Sequence, residues 1–151
     1  MDDILSIRLA TFADLASWAR LRHQLWSDLT AADHQVELAA DVVAGKLTGY
    51  LAMLPSGEAV AFAEVSHRDY ANGARGRPVP FLEGIWVEPN RRRQGIGGQL
   101  IKAISQDLVA NGFQELCSDA ETDNLISHAA HHLWGFHETE RVVYFRKALS
   151  P

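Results

Sequence analysis

The order of apolar periods along the chain predicts a mixed α/β domain built around one sheet. Three observations carry this. Stretches of period two and of helical period alternate along the whole length. A glycine-rich turn stands where a strand hands over to a helix. No repeat, low-complexity tract or linker divides the 151 residues, a length that fits a single domain, 1–151, with its own core. The predicted order is β-αα-βββ-α-β-α-ββ.

Residues 5–10, LSIRLA, alternate as a strand, and Thr11 with Asp14 makes a capping-box-like helix start. Phe12, Leu15, Trp18 or Ala19, Leu21, Leu25 and Trp26 follow helical spacing, which predicts a helix to about Trp26. A second helix starts near Asp33 and stops at Gly45. The period then changes: YLAML, a PSGE turn and AVAFAEVSHRDY read as a hairpin. ANGARGRPVP, residues 71–80, is a loop. FLEGIWVEP is a strand ended by Pro89, and its interior Gly84 marks a bulge. Ile96, Leu100, Ile104 and Leu108 predict a helix from about Gly95 to the Asn111-Gly112 stop signal. FQELCSD is a strand, residues 124–134 a helix closed by Gly135, and FHETE with RVVYFRKAL a final strand pair.

Composition narrows the function. An apolar fraction of 47% with 22% charged residues is that of a soluble globular protein. A net charge of −5 argues against a nucleic-acid partner and suits a cationic substrate, although surface acid also serves solubility. Cys117 is the only cysteine, so no intramolecular disulfide forms. Set mid-strand among apolar neighbours, it reads as an inert buried thiol. The acidic start lacks a basic n-region, and no apolar run reaches membrane-spanning length. The expectation is a cytoplasmic protein with no membrane partner. His128 and His132 stand one helical turn apart, but no catalytic glutamate adjoins them and no third ligand is evident, so no metal is expected.

The chemistry concentrates at RRRQGIGG, residues 91–98. A helix N-terminus presents unpaired N–H groups and the positive end of the dipole, and glycine lets an anion reach the main chain. The segment reads as a pyrophosphate cradle or, more blandly, as a solvated basic turn. It is not a P-loop, because no Gly-Lys-Ser/Thr follows, and its glycine spacing is not that of a dinucleotide fold.

WVEPNRRRQGIGGQLI resembles the acetyl-CoA signature of the GCN5-related N-acetyltransferases, whose Q/R-x-x-G-x-G/A falls on Arg92, Gly95 and Gly97. The terminal HLWGF, with Asn124 upstream, is similar to that family's second cofactor segment. The resemblance runs from Ile7 to about Lys147. It implies that the amides of Arg92, Arg93, Gln94, Gly95, Ile96, Gly97 and Gly98 hold the pyrophosphate of acetyl-CoA. It implies that the backbone of Ile85, Trp86 and Val87 pairs with the pantetheine arm, with the amide of Trp86 or Val87 polarising the thioester carbonyl. The bulge at Gly84 would splay the neighbouring strand, and Asn124 would reach the pantetheine. Where many relatives carry a general-acid tyrosine, this chain has His131, which leaves His131, Tyr144 or solvent as the thiolate's proton donor.

LRHQLW, RDYANG, PVPFLEGIWV, the Ser118-Asp119 pair and GFHETERVVYFRK resemble a narrower group, the aminoglycoside 6'-N-acetyltransferases. The resemblance assigns Trp26, Tyr70, Glu83, Asp119 and Glu140 to a polycationic antibiotic. It also implies a homodimer, with Glu140 serving its own or the neighbour's pocket. A histidine often found three residues after the tryptophan is Leu29 here. The amine must lose a proton before it attacks, and Glu83 or Asp119, directly or through water, is the candidate base. The alternatives are another small amine, such as a polyamine, or a non-catalytic acyl-CoA-binding module.

Overall fold

A computed structural model describes residues 5–151. The acidic start at residues 1–4 lies outside the described residues. The chain divides into two compact units, Met1–Asp119 and Ala120–Pro151.

The first unit holds one five-stranded sheet. Its strands are β1 (Ser6–Leu9), β2 (Leu47–Met53), β3 (Ala59–Arg68), β4 (Val79–Val87) and β5 (Cys117–Ser118), in that spatial order. The first four pair antiparallel, and β5 joins β4 in parallel. Its helices are α1 (Leu15–Leu25), α2 (Ala31–Val43) and α3 (Ile96–Ala110). A single 3-10 turn, Phe12–Asp14, precedes α1. It is held by the expected box, with the Thr11 N–H donating to Asp14 Oδ2 at 2.7 Å.

Strand alternation sorts the core onto two faces. Leu51, Met53 and Phe62 meet Leu15, Trp18 and Leu21 of α1 in one cluster. Gly49 is bare because Trp18 lies on it: a Cβ there would sit 2.5 Å from Cη2. Tyr50 points the other way and donates to Asp107 of α3 at 2.9 Å. α3 buries Ile96, Leu100, Ile101, Ile104 and Leu108, the four-residue recurrence read from the sequence. It ends with Gly112 at φ +86°, where the Phe113 N–H reaches back to Leu108 O at 3.0 Å.

In the second unit, α4 (Leu125–Leu133) is capped by Asn124, whose Oδ1 accepts from the Ser127 N–H at 3.1 Å. It closes at Gly135, φ +92°. The expected final strand pair is a correction: residues 136–151 form no strand. Val143, Tyr144, Phe145 and Leu149 there are exposed. Alternation in RVVYFRKAL reports β propensity, but a strand also requires a ladder partner for its N–H and C=O groups. The expected FQELCSD strand likewise shrinks to Cys117–Ser118.

Candidate active site

The bulge predicted at Gly84 exists, and it decides the site. Glu64 of β3 faces Gly84, while the next residue, Val65, faces Leu82, so Glu83 is the extra residue. A regular strand would send Glu83 and Gly84 to opposite faces. The bulge places both on the α1 face. Glu83 there accepts from Ser66 Oγ at 2.5 Å, from Arg68 Nε at 2.8 Å and from Arg68 Nη2 at 2.7 Å. Partial burial pushes its carboxyl up, but the Arg68 and Ser66 bonds outweigh that and hold it below the usual range. Glu83 is therefore a fixed, ionised carboxylate.

The same bulge ends the β4–β5 ladder. Pairing runs Phe81 to Cys117 and Leu82 to Ser118, then stops. Glu83 and Asp119 are the next residues along the chain, just past the last ladder pair, where the expected splay would open. Past Leu82, Ile85, Trp86 and Val87 have, among the described residues, a strand partner on the β3 side only.

Beside Glu83 lies an open cleft of about 490 Å³, the size of a small-molecule site. Its walls come from the ends of α1 and α2, from β3 and from β4. Five acidic side chains line it (Asp28, Glu37, Asp41, Glu64 and Glu83), with Arg22 and Lys46 among them. Trp26 supplies an aromatic wall. Its ring lies over Gly84, meets Phe62 edge-on at 6.4 Å and carries the Arg22 guanidinium at 5.2 Å. Glu64 forms part of the floor and is fully buried. Trp18 Nε1 donates to its Oε2 at 2.9 Å and Arg22 Nε to its Oε1 at 3.2 Å. Burial pushes the Glu64 carboxyl up to about 7, despite the opposing Arg22 charge.

At the other end of β4, the glycine-rich turn has the geometry of an anion cradle. Arg93 adopts φ +63°, rare for a side-chain-bearing residue, and Gly95 caps α3 at φ +79°. The first in-helix bond is from the Gln99 N–H to Gly95 O at 3.0 Å, which leaves the amides of Ile96, Gly97 and Gly98 outside the helical ladder. A Cβ at Gly95 would meet nothing within 4 Å, so the turn opens to space rather than to packed protein. Arg92 is tied back: Nε donates to Val87 O at 2.9 Å and the guanidinium lies 4.3 Å from the Trp86 ring centroid. These features fit a pyrophosphate with the rest of its nucleotide and an arm running along β4.

The structure brings Trp26 and Glu83 together in the cleft and sets Asp119 just past the last β4–β5 pair. Tyr70 stands on the loop after β3, exposed, donating to Asn72 Oδ1 at 3.0 Å, and is not part of the cleft lining. In the second unit, His131 donates from Nδ1 to Ser127 O at 2.7 Å, Asn124 commits its oxygen to the α4 cap, and Glu140 and Tyr144 are exposed. His128 donates to Glu121 O at 2.8 Å. Cys117 is half-buried rather than enclosed, and burial raises its thiol, which keeps it protonated. Ser66, Arg68, Glu64 and the acids of α2 were missed in the sequence. Glu64 had a readable signal, since it interrupts AVAFAEV as Glu83 interrupts FLEGIWV, and period two puts Ser66 on its face.

A β4 edge whose pairing with β5 ends at Leu82, a glycine-rich helix entrance beyond it and an acidic cleft alongside fit an acyl-CoA-dependent transferase. Comparison with known proteins agrees. Residues 9–136 match the Acetyltransferase (GNAT) family. The chain is 45% identical over 147 residues to aminoglycoside N(6')-acetyltransferase type 1 of Stenotrophomonas maltophilia, across 97% of this chain and 95% of that protein. It is 40% identical to the protein of that name from Klebsiella aerogenes, across 99% and 100%. Among solved structures, aminoglycoside antibiotic 6'-N-acetyltransferase AAC(6')-Ih from Acinetobacter baumannii matches with a TM-score of 0.88 at 38% identity, across 97% of this chain and 100% of that one. AAC(6')-Iy in complex with the bisubstrate analog CoA-S-monomethyl-acetylneamine matches with a TM-score of 0.88 at 37% identity, across 97% and 99%.

The chain belongs to the GNAT acetyltransferase family. It is an N-acetyltransferase with acetyl-CoA as its co-substrate.

Proposed function

We propose that this enzyme transfers the acetyl group of acetyl-CoA to the 6'-amine of aminoglycoside antibiotics and so confers resistance to them. The observation that carries this is the cleft: Trp26 as a wall for a sugar face, Glu83 turned inward by the bulge, and a surplus of carboxylates for a polycation. The names of the relatives point the same way. A polyamine would satisfy the acids but has no sugar face to lay on the indole.

The chemistry is direct attack in a ternary complex. Arg92 to Gly98 hold the pyrophosphate, and the amide of Trp86 or Val87 polarises the thioester carbonyl. Glu83, kept ionised by Arg68 and Ser66, anchors the acceptor ammonium. Asp119, across the splay, takes the proton directly or through water. The neutral amine then attacks to form the C–N bond, the C–S bond breaks to give CoA thiolate, and the second proton shed by the nitrogen passes to solvent. His131, Tyr144 or solvent returns a proton to that sulfur. Asn124 completes the pantetheine contacts, and Tyr70 and Glu140 contribute further acceptor contacts.

We infer a homodimer from the exposed apolar side chains of Val143, Tyr144, Phe145 and Leu149 in a strand-prone segment, with both units of each chain serving one acetyltransferase domain. We place the enzyme in the cytoplasm, where acetyl-CoA is available; among the described residues no helix is long and apolar enough to cross a membrane. The test is release of free thiol from acetyl-CoA with a panel of aminoglycosides, polyamines and peptide amines. Brisk turnover of a polyamine with none of any aminoglycoside would overturn the substrate assignment.

A further inference from the structure

Trp26 is the residue at which α1 stops. Its N–H still bonds back to Arg22 O at 2.9 Å, but φ −124° and ψ 86° turn its carbonyl out of the helix. A carbonyl at a helix end needs a partner from elsewhere. Here it comes from α2: His34 Nε2 lies 2.7 Å from Trp26 O. A carbonyl only accepts, so Nε2 carries the proton and the neutral ring has a bare Nδ1. That Nδ1 is buried with no hydrogen-bond partner among the described residues, on a residue 2% exposed.

A second imidazole repeats the arrangement. His23, in the last turn of α1, donates from Nδ1 to Leu29 O at 2.7 Å. The two rings meet edge to face with centroids 6.3 Å apart. The turn between α1 and α2 is thus held by one histidine from each flanking helix. Trp26, Asp28 and Leu29 of that turn line the cleft, as does His34 itself.

A purely space-filling residue at this position would be apolar. Leucine or phenylalanine would occupy such a site without burying an unpaired nitrogen, which is a net cost to folding. Local rules broken in this way are expected where a site has to be positioned. What the imidazole provides, and an apolar residue does not, is a donor at one carbonyl. That carbonyl belongs to the residue whose ring covers the bulge beside Glu83.

We propose that His34 is a positioning residue for the acceptor: by holding the Trp26 carbonyl it sets the indole over Gly84, so that a sugar ring stacks on it with its amine against Glu83. The proposal rests on the aminoglycoside reading above. His34 hydrogen-bonds none of the residues assigned to acetyl-CoA, so its effect falls on one substrate only.

The test is steady-state kinetics of His34→Gln, His34→Asn and His34→Ala with a kanamycin-type drug and with acetyl-CoA, alongside melting temperatures. The glutamine amide nitrogen reaches the place of Nε2, whereas the asparagine amide is one methylene shorter and stops near Nδ1. His34→Asn and His34→Ala should raise the drug KM about tenfold, with kcat per folded enzyme and the acetyl-CoA KM little changed. His34→Gln should restore the drug KM. In a Trp26→Ala background, His34→Asn should add nothing, because the two act as one unit. Equal drug KM values for the Gln and Asn variants, or lowered melting temperatures with the drug KM unmoved, would overturn the proposal. The Gln–Asn contrast stands even if His34→Ala does not fold. An active wild type with no contrast removes this proposal alone. A wild type that turns over no aminoglycoside removes the substrate reading, and this proposal with it.

Discussion

Gly84 is bare because Trp26 lies on it. A Cβ built on Gly84 would clash with the indole Cη2 and stand 2.9 Å from Cζ2. The backbone of β4 and the aromatic wall of the cleft are therefore in direct contact, at the bulge that also turns Glu83 inward. Gly84→Ala should displace the ring, which is backed by Phe62 and has little room to yield. Overpacking of this kind costs about 1–3 kcal/mol. The drug KM should rise while acetyl-CoA affinity, measured by calorimetry, stays near wild type.

Glu83 and Asp119 stand just past the last β4–β5 pair, yet they are held differently. Glu83 is clamped by Arg68 and Ser66, whereas Asp119 is exposed at the end of β5. Glu83→Gln should act mainly as a binding lesion, raising the drug KM roughly 10-fold or more through loss of a charge-assisted contact. Asp119→Asn should lower kcat roughly 100-fold, the usual scale of a lost proton acceptor. The opposite split between KM and kcat would reassign the two roles.

Much of this was legible from residue pattern. The four-residue recurrence of Ile96 to Leu108 located α3, Gly84 announced the bulge, and Glu83 stood out as a charge inside an apolar strand. The helix stop signals at Gly112 and Gly135 also held. What pattern did not give was pairing. Alternation at residues 136–149 reads as two strands, but alternation says nothing of whether a partner edge is present. Nor does a one-dimensional pattern reveal that Arg68, fifteen residues before Glu83, folds back onto it, or that α2 turns His34 toward a carbonyl of α1. Tyr70 is assigned to the acceptor as an aromatic wall before the 71–80 loop and by the resemblance; it is exposed and is not among the residues that line the cleft.

The proposed anion cradle depends on a left-handed residue at the α3 cap. Gly95 sits at φ +79° with open space where a Cβ would point. Gly95→Val should weaken acetyl-CoA binding at least 10-fold, because a β-branched residue resists that conformation and its side chain would enter the phosphate's path. Unchanged affinity by calorimetry would reject the cradle.

Glu64 makes stability depend on pH in the direction opposite to most carboxylates. Burial pushes it up from 4.5 to about 7, so the native state favours the protonated acid. The stabilisation is full below the unfolded value near 4.5 and is lost as pH rises through about 7, with a ceiling of about 3 kcal/mol for a shift of this size. Asp14 and Glu83, whose carboxyls are held low, contribute in the opposite sense but titrate below this window. The melting temperature of the wild type should fall between about pH 5 and about pH 7.5 and level off above that, and Glu64→Gln should flatten that slope. A wild-type curve as flat as the variant's would show that Glu64 stays ionised throughout.

The acetyl group should go to the 6'-amine. In the proposed reading the site is fixed around one amine next to the thioester, with the rest of the acceptor spread over the cleft's carboxylates. Kanamycin-like and tobramycin-like drugs carry a 6'-amine, whereas close analogues with a 6'-hydroxyl do not. The hydroxyl analogues keep their other ammonium groups, and the cleft keeps Asp28, Glu37 and Asp41 in its lining. They should therefore bind, and act as competitive inhibitors against the amine drugs. They should not be acetylated at a comparable rate, because a hydroxyl is a far poorer nucleophile unless strongly activated. Matched amine and hydroxyl drugs, with the product assigned by mass spectrometry and NMR, settle the matter. Acetylation of a ring-attached amine would show that the acceptor enters in a different orientation, with another ammonium against Glu83, while leaving the cradle and the strand-edge assignments intact.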